Sequence, residues 1–194
     1  MLRINKAASH DGLEDWKRRY KARHKRKANY PDLFDANDLY RTVKEDIIRE
    51  QKGLCCYCCC QLDENDSHIE HFMPQSKFPS LDLDFGNLFV SCNGGRKKAT
   101  CGYKKGSIDP SEKVISPTDD QCSQAFKYTL RGKIEATGLH ELSQSTIDTL
   151  SLNNPALASA REAVLWASGL LTADEDEHST IIEGLLSEAD TLPA

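Results

Sequence analysis

The stretch that decides the fold, residues 68–76, has the sequence HIEHFMPQS. Because neighbouring side chains of a β-strand point to opposite faces, His68 and Glu70 are expected to share one face and His71 to lie on the other. Pro74 ends the strand, and at that bend Glu70 and His71 could both reach one reaction centre. A carboxylate prefers a hard cation such as Mg²⁺, and a neutral imidazole can take a proton from water near pH 7. The stretch therefore predicts a metal site with a water-activating base beside it.

A second short strand is predicted at residues 88–91, and Asn87 stands directly before it. An asparagine at this position can hold the loop that aims His71. Several basic side chains follow the second strand, and such side chains can bind phosphate groups. They are Arg96, Lys97, Lys98, Lys104 and Lys105.

The chain contains eight cysteines, and five of them lie between residues 55 and 60. Residues 1–10 contain no apolar segment of the secretory kind, and no run approaches the roughly 18 apolar residues of a membrane span. We therefore expect a cytoplasmic protein with no membrane association, in which thiols stay reduced. Under those conditions, clustered cysteines indicate metal binding before disulfide bonding.

Cys55 and Cys58 form a CxxC pair, and Cys92 and Cys101 can supply the second half of a four-thiolate zinc site. A closed tetrahedral site of this kind contributes on the order of 10 kcal/mol to folding. The alternative is that the thiols are buried as small hydrophobic side chains. The register stays open, because an overlapping pair has the same spacing, Cys56 and Cys59. Ordinary structural roles are expected for three cysteines, Cys59, Cys60 and Cys122.

Charge is unevenly distributed along the chain, whose net charge is −5. Residues 17–27 are almost continuously basic, and the part of the chain from residue 141 onward is acidic. This asymmetry suggests two surfaces with different partners. The basic run is either a solvated helix face or a nucleic-acid contact.

Helical spacing of apolar residues predicts the flanking elements. Pro31 is expected to break the first helix, Asp38 to be the N-cap of the second, and Gly53 to end it. The apolar segment 156–171 is expected to pack on the core or on a partner. The predicted helices are 11–28, 36–54, 145–152, 156–171 and 180–189, and a further strand is predicted at 126–130.

Residues 44–106 resemble an HNH endonuclease, and more narrowly the HNH subunit of Septu-type anti-phage systems, which also occurs beside some retrons. The resemblance rests on GLCCYC at residues 53–58, on HIEHF followed by Pro74, on the Asn-Leu strand that ends in Cys92, and on CGYKKG at residues 101–106. The flanks match only loosely.

The resemblance implies an α+β fold with a ββα-metal core, the HNH or His-Me finger arrangement, stapled by a structural zinc ion and flanked by helices. It implies that His71 is the general base, that Glu70 occupies a position where the family often has a metal ligand, and that Asn87 is the central asparagine of the motif. The catalytic ion would be Mg²⁺ or Mn²⁺. The zinc ligands would be Cys55, Cys58, Cys92 and Cys101.

One position departs from the family pattern. Many HNH proteins place a His or Asn directly after the last zinc cysteine as a second metal ligand, whereas this chain has Gly102. Asn93, directly after Cys92, and His68 are the candidates for that role.

The predicted organisation is a basic helical extension at residues 1–43, a nuclease core at 44–110, and a connecting segment with C-terminal helices at 111–194. By the resemblance, the partners are a nucleic acid and an ATPase subunit in a hetero-oligomer. The residues do not separate DNA from RNA, such as tRNA, as the substrate. A non-catalytic zinc-ribbon module is an alternative, and a zinc-dependent hydrolase or deaminase is a weaker one, because that chemistry needs an open zinc position.

Overall fold

The computed structural model describes residues 1–95, 97–170, 177 and 179–183. Helices and short strands are mixed along the chain, so the fold is of the α+β kind that the sequence predicts. The strands pair into two-stranded antiparallel sheets, β1 with β2 and β3 with β4. The helices are α1 (Asp11–His24), α2 (Tyr30–Asp35), α3 (Asn37–Glu50), α4 (Cys101–Lys105), α5 (Ser143–Thr149) and α6 (Pro155–Ala167). The strands are β1 (Ser67–His71), β2 (Leu88–Cys92), β3 (Phe126–Tyr128) and β4 (Ile134–Ala136).

The pair β1–β2 separates two apolar cores. Its register sets Ile69 opposite Val90, and side chains that lie opposite each other point to the same side of a sheet. Ile69 and Val90 belong to the first core, and His71 shares their face. His68 and Glu70 lie on the other face. The strand alternation expected from the sequence is therefore confirmed.

The N-terminal helices cover the first face. Leu13 of α1, Leu33 of α2 and Val43 and Ile47 of α3 are fully buried against it. Val43 and Ile47 are four residues apart, so one stripe of α3 faces the sheet. The end of α3 is followed by a turn in which Gly53 has φ +74°, as the predicted helix stop requires.

Two details of this region differ from the sequence prediction. Pro31 was predicted only to break the first helix, but it lies in the first turn of a separate helix, α2. A proline is tolerated there because its missing N–H costs no helical hydrogen bond. The Asn29 side chain accepts from the Asp32 N–H and completes a capping box there. The prediction of Asp38 as an N-cap is wrong, since α3 begins after Ala36 without a side-chain cap.

The second face of β1–β2 packs on a second core, to which β2 contributes Phe89. The rest of that core comes from the N-terminus, the cysteine hairpin, the start of α4 and residues between 114 and 152. Strand β3 ends at Tyr128, earlier than predicted, and pairs with β4, which sequence reasoning missed. The connecting turn contains Gly132 at φ +67°, where an added Cβ would meet the backbone of α6. The predicted helix 180–189 is described only in part, with 179–183 helical, and the rest lies outside the described residues.

Among the helices in the described residues, none combines the length and the apolar character that crossing a membrane requires.

Candidate metal centre and hydrolytic site

A tight hairpin brings the cysteine cluster together. Leu54 and Gln61 form a bridge, the Cys55 N–H donates to the Cys60 carbonyl at 2.9 Å, and the Cys59 N–H donates back to the Cys55 carbonyl at 3.1 Å. The end of β2 approaches this hairpin, and its Cys92 N–H donates to the Cys55 sulfur at 3.4 Å. These contacts hold thiols from two separate segments in one place.

Four thiols of this cluster lie within 4.8 Å of one another and could hold a metal ion such as zinc; they belong to Cys55, Cys58, Cys60 and Cys92. Sulfur atoms bound to one zinc ion at about 2.3 Å in a tetrahedron are about 3.8 Å apart. The Sγ atoms of Cys58 and Cys92 are separated by 3.8 Å, which fits that edge. Soft thiolates are also the donor type that zinc prefers.

Cys101, the first residue of α4, lies next to this cluster, although it is not among the four thiols within 4.8 Å of one another. Its thiol is fully buried and lies beside that of Cys92, whose pKa it lowers to about 4. Burial opposes ionisation of Cys55, but the neighbouring thiols, that of Cys101 first, lower its pKa well below the usual value. The same neighbouring thiols raise the pKa of Cys101 well above its usual value.

The four-thiol group therefore differs from the predicted ligand set, because it contains Cys60, whereas Cys101 lies beside it and is not a member. The unexpected member is Cys60, whose sulfur lies 3.3 Å from that of Cys58, closer than two zinc ligands stand. Its place two residues after the CxxC pair was the signal that could have flagged it. The buried thiol of Cys56 contacts Cys55 but is not in the four-thiol group, and Cys122 is buried in the second core.

Glu70 and His68 stand side by side on the face of β1 that looks toward α4. The Glu70 Oε2 and His68 Nε2 atoms are 3.5 Å apart. Two such atoms bound to one small cation at about 2.1 Å each would be about 3.0–3.4 Å apart, so this pair fits a shared ion with little movement. Gly102 makes the arrangement possible, because a Cβ there would stand 2.5 Å from Oε2 and 3.0 Å from Nε2.

Asn93 supports His68 rather than facing Glu70. Its Oδ1 lies 3.0 Å from His68 Nδ1, and its amide nitrogen donates to Asp66 at 2.9 Å. An acceptor at Nδ1 fixes the proton there and leaves Nε2 as the lone-pair atom, which is the atom that faces Glu70. Of the candidate metal ligands, the structure thus brings Glu70 and His68 together and sets Asn93 behind His68.

The imidazole of His71 is held in one tautomer. Its Nε2 lies 2.8 Å from the Asp82 carbonyl oxygen, which can only accept, so Nε2 carries the proton and Nδ1 the lone pair. The Gln75 amide donates to Nδ1 at 3.0 Å, and the Tyr30 ring packs edge-on at 4.6 Å. Burial lowers the pKa of His71 below 6.5, although the Asp82 carbonyl and Glu70 oppose the shift. Burial therefore favours the neutral ring over the imidazolium.

Asn87 clamps the loop between the two strands. Its side chain accepts from the Met73 N–H at 2.7 Å and donates to the carbonyls of Met73 and Leu81, each at 3.0 Å. The clamp fixes the loop that carries Asp82, so it sets where the His71 ring is held.

Lys105 differs from its predicted role as a phosphate ligand. Its side chain is 1% exposed, and its ammonium donates to the His71 and Phe72 carbonyls at 3.0 and 3.1 Å and pairs with Glu70 Oε1 at 3.0 Å. The Tyr57 hydroxyl donates to the same Oε1 at 3.1 Å. Lys105 is therefore a buried residue of α4 that binds the end of β1.

The other predicted phosphate ligands lie on the outside. Lys97, Lys98 and Lys104 are exposed, and the Lys98 ammonium stands 4.3 Å from the centre of the Tyr103 ring. Tyr103 in turn packs against His68, with ring centres 4.5 Å apart. Arg96 lies outside the described residues. Sequence reasoning assigned no role to Tyr57, Gln75 and Tyr103, although they lie within the motif segments. It also overlooked Tyr30, which reaches the site from a segment without a motif.

With this geometry in view, comparison with known proteins confirms the predicted resemblance to HNH-type proteins of anti-phage systems. The chain is 34% identical over 117 residues to the Septu protein PtuB of Bacillus thuringiensis, a match that covers 57% of this chain and 41% of that protein. It is 38% identical over 66 residues to the Retron Ec83 putative HNH endonuclease of Escherichia coli, covering 29% of this chain and 25% of that protein. The matches thus span less than half of either relative. No family model matches.

Proposed function

We propose that this chain is a metal-dependent HNH endonuclease whose ββα-metal core consists of β1, β2 and α4, and that it is the effector nuclease of an anti-phage complex. The observation that carries the proposal is the His71 tautomer. The Asp82 carbonyl leaves Nδ1 as the lone-pair atom of a buried, neutral ring, one residue from a carboxylate suited to a cation. The similarity to PtuB and to the retron protein supports the same class.

In the proposed reaction, water attacks the phosphorus of a phosphodiester while His71 Nδ1 takes its proton. The new P–O bond forms as the bond to the leaving oxygen breaks, and that oxygen takes a proton from solvent. The Gln75 amide must give up its hydrogen bond to Nδ1 for the water to enter. The Asp82 carbonyl stabilises the imidazolium that results, because it already accepts from Nε2.

Glu70 and His68 would hold the catalytic Mg²⁺ or Mn²⁺, with water and phosphate oxygens completing the shell. When bound, such an ion supplies charge that stabilises the phosphate and the leaving oxygen. Cys55, Cys58, Cys92 and Cys101 would hold a structural zinc ion. We prefer Cys101 to Cys60 as the fourth ligand because it is fully buried, whereas Cys60 is partly exposed.

The test is cleavage of plasmid DNA and of total RNA by the purified chain, with and without its genomic neighbour, in Mg²⁺ or Mn²⁺ and then with chelator. His71→Ala should abolish cutting. His24→Ala, which removes an exposed histidine of α1, is the control and should retain it. Cutting that survives His71→Ala would contradict the mechanism.

The choice between DNA and RNA is left to this assay, because the site acts on the phosphate of either. A tRNA or other RNA substrate attacked by its own 2′-hydroxyl would leave a cyclic phosphate, which analysis of product ends detects. A non-catalytic zinc-ribbon module predicts instead that His71→Ala leaves function intact. The ATPase partner and the hetero-oligomer remain part of the proposal, and co-purification with the neighbouring gene product tests them.

A further inference from the structure

A cavity lined by four cationic and three acidic side chains lies between α1 and the loop formed by residues 79–85. Its volume is about 690 Å³. Lys17, Arg18 and Lys21 line one wall at helical spacing, so a single face of α1 looks into it. Lys27 adds a fourth cation from the segment in which the chain turns back after α1.

The opposite wall of this cavity contains residues that also contact His71, the proposed general base. Asp82 lines the cavity, and its carbonyl accepts the hydrogen bond from His71 Nε2. Asn29 lines it too, and the next residue, Tyr30, donates its N–H to Asp82 Oδ2 at 3.0 Å and packs its ring on His71. A chain of phosphates in the cavity would therefore be separated from His71 by a single layer of residues.

The acidic groups of the cavity already have partners. Glu14 pairs with Lys17 at 2.6 Å, Asp82 accepts from the Tyr30 N–H, and Asp84 accepts from the Gly86 N–H at 2.8 Å. Lys17 also donates to the Leu83 carbonyl, and Arg18 is paired with Asp15.

Two cations remain available for a ligand. The side chains of Lys21 and Lys27 are exposed, and neither forms an ion pair with any of the residues that the structure describes. Two ammonium groups without an ion-pair partner at one cavity favour an anionic ligand, and the proposed function supplies one, the phosphates of a nucleic acid.

From this geometry we infer that the cavity binds the sugar-phosphate backbone of the substrate nucleic acid, with Lys21 and Lys27 as phosphate contacts. The inference rests on the proposed function for the identity of the ligand. It assigns Lys21 and Lys27 of the basic run to substrate binding, next to the catalytic loop and separate from the exposed lysines that follow β2.

The experiment measures binding of a fluorescein-labelled DNA duplex, and of an RNA strand of equal length, by fluorescence anisotropy across a salt series. His71→Ala is the background, so that no substrate is cut. Each lost phosphate contact removes about 0.9 from the slope of log K against log salt for a duplex. The double variant Lys21→Gln with Lys27→Gln should make this negative slope shallower by about 1.8. It should also weaken binding at least about tenfold near 0.1 M salt. The matched control is Lys127→Gln with Lys133→Gln, two exposed lysines near the β3–β4 hairpin, and it should leave the slope unchanged.

An unchanged slope in the Lys21 and Lys27 variant would overturn the inference, and so would a loss of protein-partner binding without a loss of nucleic-acid binding. The two proposals fail separately. If the wild-type chain cuts nucleic acid but the slope is unchanged in the double variant, only the proposed role of the cavity is contradicted. If the slope becomes shallower but the wild-type chain cuts no substrate, the cavity still binds nucleic acid and the proposed nuclease activity is contradicted.

Discussion

Replacing Lys105 with methionine should test how the end of β1 is held. The side chain keeps its length but loses an ammonium that serves Glu70 and three backbone carbonyls, those of His71, Phe72 and Gly106. Glu70 is 7% exposed, so its carboxylate would be left buried with the Tyr57 hydroxyl but without its cation. Removing one partner of a buried ion pair costs about 3–5 kcal/mol. For a chain of this size that corresponds to a fall in Tm of about 6–20 °C.

The assay is equilibrium unfolding in urea at saturating zinc, with thermal unfolding as a second measure. Lys104→Met is the matched control, because Lys104 is the preceding residue of α4 and is exposed. We expect it to change the free energy of unfolding by less than about 0.5 kcal/mol. A Lys105→Met chain within about 1 kcal/mol of that control would refute the reasoning, since the ammonium would then contribute no more than a surface charge.

Three further predictions follow from the site. Gly102→Ala should displace Glu70, because the new Cβ would stand 2.5 Å from Oε2. The Mn²⁺ affinity should therefore fall at least tenfold, while the zinc content stays that of the wild type. Unchanged Mn²⁺ binding would contradict the proposed ligand pair. Since burial lowers the pKa of His71 and the base must be neutral, kcat/KM should hold as pH falls to 6.5 and decline only below it, and a profile already declining above 6.5 would count against His71. Cys101→Ser should lower the zinc bound per chain, measured by mass spectrometry of metals, whereas Cys60→Ser should retain it; the reverse pattern would make Cys60 the fourth ligand.

The sequence predicted the parts of the site that lie in the two short strands β1 and β2 or directly beside them. Strand alternation placed His68 and Glu70 on one face, and Asn87 stood where it could hold the loop. The contacts that decide chemistry come from further away. The Tyr30 ring and the Asp82 carbonyl reach His71 from segments with no motif, and a backbone carbonyl has no signature in sequence.

Lys105 shows most clearly why composition misled. A lysine in a basic stretch is normally solvated, and only the tertiary fold turns this one inward. The unexpected place of Cys60 in the thiol group has a similar cause, because a hairpin brings Cys60 back to Cys58. Spacing gave the segments that could meet, and the fold decided which side chains did.

Helix α4 joins the thiol cluster to the proposed reaction centre. It is five residues long, and helices shorter than about 12 residues are marginal on their own in water. Its position therefore depends on its anchors, the Cys101 thiol at the start and the Lys105 ammonium at the end, while Gly102 makes room for Glu70. Zinc bound by the thiols should thus fix the geometry around Glu70 and stabilise the fold at once.

Removing zinc with a strong zinc chelator should accordingly lower Mn²⁺ affinity together with the free energy of unfolding, and restoring zinc should recover both. Cys122→Ala removes a buried thiol outside the cluster, so it should lose some stability but keep zinc and Mn²⁺ binding. That control separates general loosening of the core from loss of the anchor. If the zinc-free chain stayed folded and bound Mn²⁺ as tightly as before, α4 would be held by its packing alone, and the thiol cluster would be a separate staple without influence on the reaction centre.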